Sequence, residues 1–213
     1  SLTVQDWLQC LTENEPIALS VFLNHETYWF RDEIVFECIK NNCLSNIFSG
    51  VSKGDPIRIW SAGCSTGQEI FSLMMLIHRY FPHIWEKKIF FLATDISAEV
   101  LDCIRMGIYS EAEIRRGLPK AYHQRYFRSC GERGWEIQPW IRERLCVEQH
   151  DLQSSWLDIP KMDLIFLRNV RMYFTPEQIK LLDLRIWNQL DTNGVWVSGA
   201  SELTIPDSKI WQK

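Results

Sequence analysis

Short apolar runs alternate along most of the chain with longer stretches whose apolar residues recur every three or four positions. Residues 57–60 read as a first strand. Over 67–81, Ile70, Phe71, Met74, Ile77 and Phe81 keep helical spacing. Residues 88–94 predict a second strand, and 98–105 a helix closed near Gly107. Strands at 145–148 and 162–167 follow, then a helix over 176–190 with Pro176 at its start. A turn at 191–194 leads into a strand at 195–199. Short, mostly apolar strands with helices between them predict an α/β fold with a doubly wound, mostly parallel sheet. Before the first strand, residues 2–23 and 33–48 read as helical, with a polar-aromatic turn at 24–32 between them.

The alternation stops between 108 and 139. Arg115, Arg116, Lys120, Arg125, Arg128 and Arg133 are interleaved there with Tyr109, Tyr122, Tyr126, Phe127 and Trp135. Cys130-Gly-Glu-Arg-Gly134 reads as a hairpin turn. The expected organisation is a helical segment and linker at 1–48, a ligand-binding α/β domain at 49–213, and an inserted antiparallel β subdomain at 108–145. The insert is not needed to complete the ligand half-site.

That half-site is Trp60-Ser-Ala-Gly-Cys-Ser-Thr-Gly-Gln-Glu69 followed, 32 residues beyond Gly63, by Asp95. A strand ends in a glycine turn and a helix start, and the next strand ends in an acid that can accept from ribose hydroxyls. The spacing from Gly63 to Gly67 lacks the third glycine of a dinucleotide fingerprint. Glu69, in the first helical turn, suits the helix dipole but repels a phosphate. A cationic nucleoside fits better, and S-adenosylmethionine is the obvious candidate. A plain strand-to-helix turn capped by Ser65 or Thr66 is the competing reading.

Composition narrows the picture further. The chain has 213 residues, 46% hydrophobic and 23% charged, with a net charge of −4. That is ordinary for a globular protein and argues against a nucleic-acid binder. No run is long and apolar enough to insert into a membrane, and no signal peptide is visible. Seven scattered cysteines without a C-x-x-C pair suit a reduced, cytoplasmic setting and no metal site.

In order, the segments resemble the CheR-type chemotaxis receptor methyltransferases. Thr27-Tyr-Trp-Phe-Arg-Asp32 is similar to that family's T-x-F-F-R-D/E. Residues 60–69 are similar to W-x-A-G-C-S-T-G-E-E, and Arg168-Asn-Val-Arg-Met-Tyr-Phe174 to R-N-V-x-I-Y-F. Ala93-Thr-Asp-Ile96, Gly107-Ile-Tyr109 and Gly199-Ala-Ser-Glu202 complete the series. The resemblance implies methyl transfer from S-adenosylmethionine to glutamate carboxylates in the cytoplasmic domain of a chemoreceptor, leaving methyl esters and S-adenosylhomocysteine. Gln68 stands where an acid is usual, and Arg171 where an apolar residue is usual. Most of the family's N-terminal helical domain is expected to be missing, as is its final antiparallel strand.

The resemblance also implies site residues. Arg31 would orient a carboxylate by paired hydrogen bonds. Tyr173 would face the transfer centre, a buried core tyrosine being the alternative. His25, Thr27, Arg31, Gly63, Glu69, Asp95, Asp151, Leu152, Asn169 and Val170 would hold the cofactor, with Glu69 on its amino group and Asp151-Leu152 at the adenine. An ionised glutamate needs no general base, and no Ser-His-Asp or Cys-His set is present. The basic residues of the insert would dock the receptor. A catalytically weak cofactor-binding adaptor, or a methyltransferase for another protein or a small acid, are the competing functions.

Overall fold

The computed structural model describes residues 26–50, 55–154, 156 and 159–199, and the backbone of 210–212. The helical reading of 2–23, and His25, lie outside the described residues. The chain order is α1 (Glu33–Cys38), a π-helical turn (Ile39–Cys43), α2 (Leu44–Gly50), β1 (Ile57–Ala62), α3 (Gln68–Tyr80), α4 (Pro82–Trp85), β2 (Ile89–Asp95) and α5 (Ala98–Met106). The insert contributes β3 (Ile108–Tyr109), α6 (Glu111–Arg115), α7 (Lys120–Tyr126), β4 (Phe127–Ser129), β5 (Trp135–Ile137) and α8 (Pro139–Arg142). Then come β6 (Leu145–Gln149), β7 (Met162–Leu167), α9 (Pro176–Gln189), β8 (Leu190–Ser198) and β9 (Ile210–Gln212).

The main sheet runs β6-β2-β1-β7-β8-β9, parallel except for β9. Alternation along each strand feeds two layers, as buried parallel strands require. Ile57, Ile59, Phe91, Leu164, Phe166 and Val197 face one core. Trp60, Leu92, Ile165, Leu167 and Trp196 face the other. Helix α3 buries Ile70, Phe71, Leu73, Met74, Met75, Leu76 and Ile77 against the first.

Three expectations are corrected. A final antiparallel strand is present: Ile210 pairs with Val197 and Gln212 with Val195. Three residues are too few to show alternation in a sequence. Residues 191–194 are not a turn before the last parallel strand. They form an irregularity inside β8, where pairing jumps from Met162 with Leu190 to Leu164 with Val195, and Asn193 takes φ 66°. The insert is also more helical than expected. Its sheet, β3-β5-β4, is three short strands, and the hairpin at 130–134 closes through Cys130 N donating to Gly134 O. Helix α6 starts at a Ser110–Glu113 capping box, and α7 buries Tyr122 and Tyr126 one turn apart.

The insert is wired to the ligand half-site. The Tyr109 hydroxyl donates to Thr66 O at 2.8 Å. Trp29, fully buried, packs edge-on against Tyr109 and Phe127 with centroids 4.9 and 5.2 Å away. Its backbone N donates to Arg116 O at 3.1 Å. Gly117 makes this approach feasible: at φ +87°, a Cβ there would lie 2.2 Å from Trp29 O. Gly117→Ala is therefore expected to cost about 2 kcal/mol, from left-handed strain plus a backbone clash. Urea denaturation checks this, and an unchanged midpoint would contradict it.

Candidate active site

The carboxyl ends of β1, β2 and β7 meet where the strand order reverses, the place at which open α/β sheets bind ligands. After β1 the backbone turns sharply. Gly63 N and Cys64 N both donate to Thr94 O, and Gly63, Ser65 and Gly67 take φ 72°, 49° and 90°. A Cβ on Gly63 would sit 2.6 Å from Val170 Cγ2, so the turn lies flush against the end of β7. Neither Ser65 nor Thr66 caps α3; its N-cap is Gly67, with no side-chain bond. The helix N-terminus is left to Glu69 and to whatever occupies the cleft.

Asp95, buried at the end of β2, accepts from Ser65 N at 2.9 Å and Ser97 N at 3.1 Å, one bond to each oxygen. The carboxylate therefore fixes the turn and keeps acceptor capacity for a ligand. Glu69 accepts from Ser61 Oγ at 2.8 Å on one oxygen and from Arg168 Nη1 at 3.0 Å on the other. Between these two acids, Cys64 is fully buried. Burial first, then Asp95 and Glu69, push its thiol well above the usual range, so it stays a neutral packing group.

Arg168 was not singled out in the sequence, although it follows the apolar strand β7 directly. Its side chain is 1% exposed and pairs with Glu69 and with Asp32, the latter at 2.7 Å. Nη2 also donates to Arg31 O at 2.9 Å. One guanidinium thus ties the segment at 27–32 to α3. That segment is contorted, with Phe30 at φ 51° and Asp32 at φ 60°. Phe30 N donates to Ser72 Oγ at 3.0 Å. Arg31 reaches the cleft, with Nη1 on Glu26 O at 2.8 Å and its guanidinium 5.6 Å from the Tyr28 ring.

Thr27, Arg31, Gly63, Glu69, Asp95, Asp151, Leu152, Asn169, Val170 and Tyr173 all line one cleft. His25 lies outside the described residues. Ser65, Ile96, His150, Arg168 and Phe174 line it as well. His150, against Trp60 and Trp156, is held neutral because burial lowers its pKa. It directly precedes Asp151, so the strand-end position was its only sequence signal. Gln68 does not line the cleft. It is buried behind it and accepts from Thr66 Oγ1 at 2.7 Å. Arg171 is buried too; its guanidinium lies 4.7 Å from the Trp196 ring and pairs with Asp183 on α9. That explains a cation in an apolar slot.

The arrangement joins one carboxylate at a strand end, Asp95, and one in the first turn of α3, Glu69, to apolar Ile96, Leu152, Val170 and Phe174. Such a cleft suits a nucleoside carrying a cation rather than a phosphate. A family model described as "CheR methyltransferase, SAM binding domain" matches residues 25–213. The chain is 35% identical over 196 residues to "Chemotaxis protein methyltransferase 1" of Pseudomonas aeruginosa, covering 90% of this chain and 71% of that protein. It is 36% identical over 188 residues to "Chemotaxis protein methyltransferase Cher2" of Pseudomonas putida, covering 87% and 68%.

The Gly63–Val170 approach gives a test of the cradle. Gly63→Ala should cost about 2–3 kcal/mol in the native chain and only ~1 kcal/mol in a Val170→Ala background, where backbone strain alone remains. Urea midpoints of the four proteins measure this. Equal costs in both backgrounds would show that Val170 does not set the constraint.

Proposed function

Since the chain belongs to the CheR methyltransferase family, we propose that it transfers methyl groups from S-adenosylmethionine to glutamate carboxylates of a chemoreceptor's cytoplasmic domain. One observation supports this reading above the others. Residues expected from five separate stretches of sequence line a single cleft, among them Glu69, Asp95 and Arg31.

The residues present fit the cofactor. Gly63 lets the turn pack flush on Val170, which shapes the cradle beside Glu69 and Asp95. Glu69 and Asp95 offer acceptors for an ammonium group and for ribose hydroxyls. Leu152 and Ile96 offer apolar surface for a base, with Asp151 beside them. Asn169 and Val170 close the far wall from the end of β7, and Thr27 the near one. Bound there, S-adenosylmethionine supplies an electrophilic methyl that passes to the carboxylate oxygen as its C–S bond breaks, leaving S-adenosylhomocysteine.

The protein's own part is positioning. A glutamate with a pKa of ~4.3 arrives ionised and needs no base. Cys64, its thiol pushed up by burial, offers no competing thiolate. Arg31 holds the incoming carboxylate, and Tyr173 lines the same cleft. Excluding water from a charged nucleophile and fixing its line of approach supply the rate. Gln68 does not line the cleft, so that departure from the family motif lends the adaptor reading no support. The setting we propose is the cytoplasm, where receptor signalling domains lie; among the described residues no helix is long and apolar enough to cross a membrane.

Two outcomes follow. Asp95→Ala should weaken S-adenosylhomocysteine binding by about 1–3 kcal/mol in calorimetry, through unpaired hydroxyls; an unchanged affinity would contradict the assignment. Arg31→Ala should lower turnover at saturating S-adenosylmethionine more than it lowers cofactor affinity. The assay is base-labile methyl ester on a receptor cytoplasmic fragment. Lost affinity with unchanged turnover would move Arg31 to cofactor holding, and absence of ester with the native chain would overturn the proposed reaction.

A further inference from the structure

The basic residues of the insert are not one open face. Arg115 pairs with Glu111, Arg116 with Glu26, and Arg128 and Arg142 with Glu136. A different set of cations is uncompensated. Arg79 at the end of α3, Arg125 on α7 and Arg144 after α8 are exposed, and among the described residues none of them has an ion pair. They frame one aromatic surface. Arg79 lies 5.3 Å from the Tyr122 ring and 5.7 Å from Tyr80, Arg125 lies 5.7 Å from Tyr126, and Arg144 lies 4.5 Å from Trp85. His78 joins the two halves, 5.5 Å from Tyr126 and 4.8 Å from Trp140. Tyr80 and Trp140 remain 47% and 40% exposed.

We propose that this face, formed by the end of α3 with α7 and α8, docks an acidic segment of the protein substrate. The inference rests on the reading that the substrate is a protein. Arginines resting on aromatic rings are pre-ordered, so their remaining donors meet a carboxylate with little further loss of freedom. Exposed Tyr and Trp ringed by Arg is the composition of a binding centre rather than of ordinary surface. The chain as a whole is anionic, at −4, while Arg125 and Arg144 both act on His78 and Arg79 shares Tyr122 beside them, a cationic cluster that selects acidic partners. Glu69 sits in the first turn of α3 and Tyr80 closes its last, a separation of roughly 16 Å at 1.5 Å per residue. The face is therefore separate from the cleft, and a segment bound there does not compete with the reacting glutamate.

The probe is a fluorescein-labelled, ~20-residue Glu/Ala helical peptide, long enough to hold some helix alone. Anisotropy at low and physiological salt would compare the native chain with Arg79→Glu/Arg125→Glu/Arg144→Glu, with Trp140→Ala, and with Arg133→Glu/Lys180→Glu as a control off this face. Calorimetry with S-adenosylhomocysteine confirms that each variant is folded. The triple reversal should bind roughly tenfold more weakly or worse and lose most of the salt dependence, while the control stays within about twofold. Trp140→Ala should weaken binding severalfold. No peptide binding by the native chain, equal binding by the triple variant, or tighter binding of a single-stranded DNA of equal length would each overturn the proposal. Methyl ester formation on a receptor fragment is scored in parallel. Peptide binding without ester formation sinks the proposed reaction and leaves the docking face standing. Ester formation with an unchanged KM in the triple variant does the reverse.

Discussion

The site depends on one buried cation. Arg168, at the end of β7, is nearly inaccessible and holds two carboxylates that are 37 positions apart in the chain, Asp32 and Glu69. A guanidinium at that depth is tolerable only while its partners stay in place. Its Nε has no hydrogen-bond partner, so the group is not even fully satisfied. Such an arrangement is a poor source of stability compared with an apolar plug, and it makes sense as a positioning device. It aims Glu69 into the cleft, and through Arg31 O it fixes the backbone from which the Arg31 side chain projects.

The rest of the molecule holds that junction from two sides. Trp29 is wedged into the insert, and Tyr109 reaches back to the turn at Thr66. The insert thus braces the turn of the cleft, although none of its residues lines it. Among the described residues, four of the five non-glycine residues with positive φ are Phe30, Asp32, Ser65 and Asn169, and all four lie in or beside the cleft. Strain collected at a ligand site is maintained by the packing around it.

The architecture was legible because it is periodic. Strands buried on both faces leave unmistakable apolar runs, and α3 carries a full helical repeat. What was missed lacks a period: a three-residue β9, an irregularity within β8, and short helices in the insert whose signals were a capping box and a Tyr122–Tyr126 pair. The cleft residues were legible as ordered motifs, since each stands at a strand end or tight turn where only a few residue types serve. Arg168 was hidden because its role is a long-range pairing; nothing in its immediate neighbourhood announces Asp32. The unequal fates of the insert's arginines were hidden for the same reason, since pairing is decided in three dimensions.

On the proposed reading, the cofactor and substrate edges are two ends of one charge network, unlike a cleft assembled by apolar packing alone. A double-mutant cycle of Asp32→Asn and Glu69→Gln, read as unfolding free energy and as S-adenosylhomocysteine affinity, tests that most directly. Because both acids share one guanidinium, the effects should be non-additive by about 1–2 kcal/mol in stability, with Asp32→Asn weakening ligand binding although Asp32 does not line the cleft. Additivity within ~0.4 kcal/mol, with ligand affinity indifferent to Asp32, would contradict it.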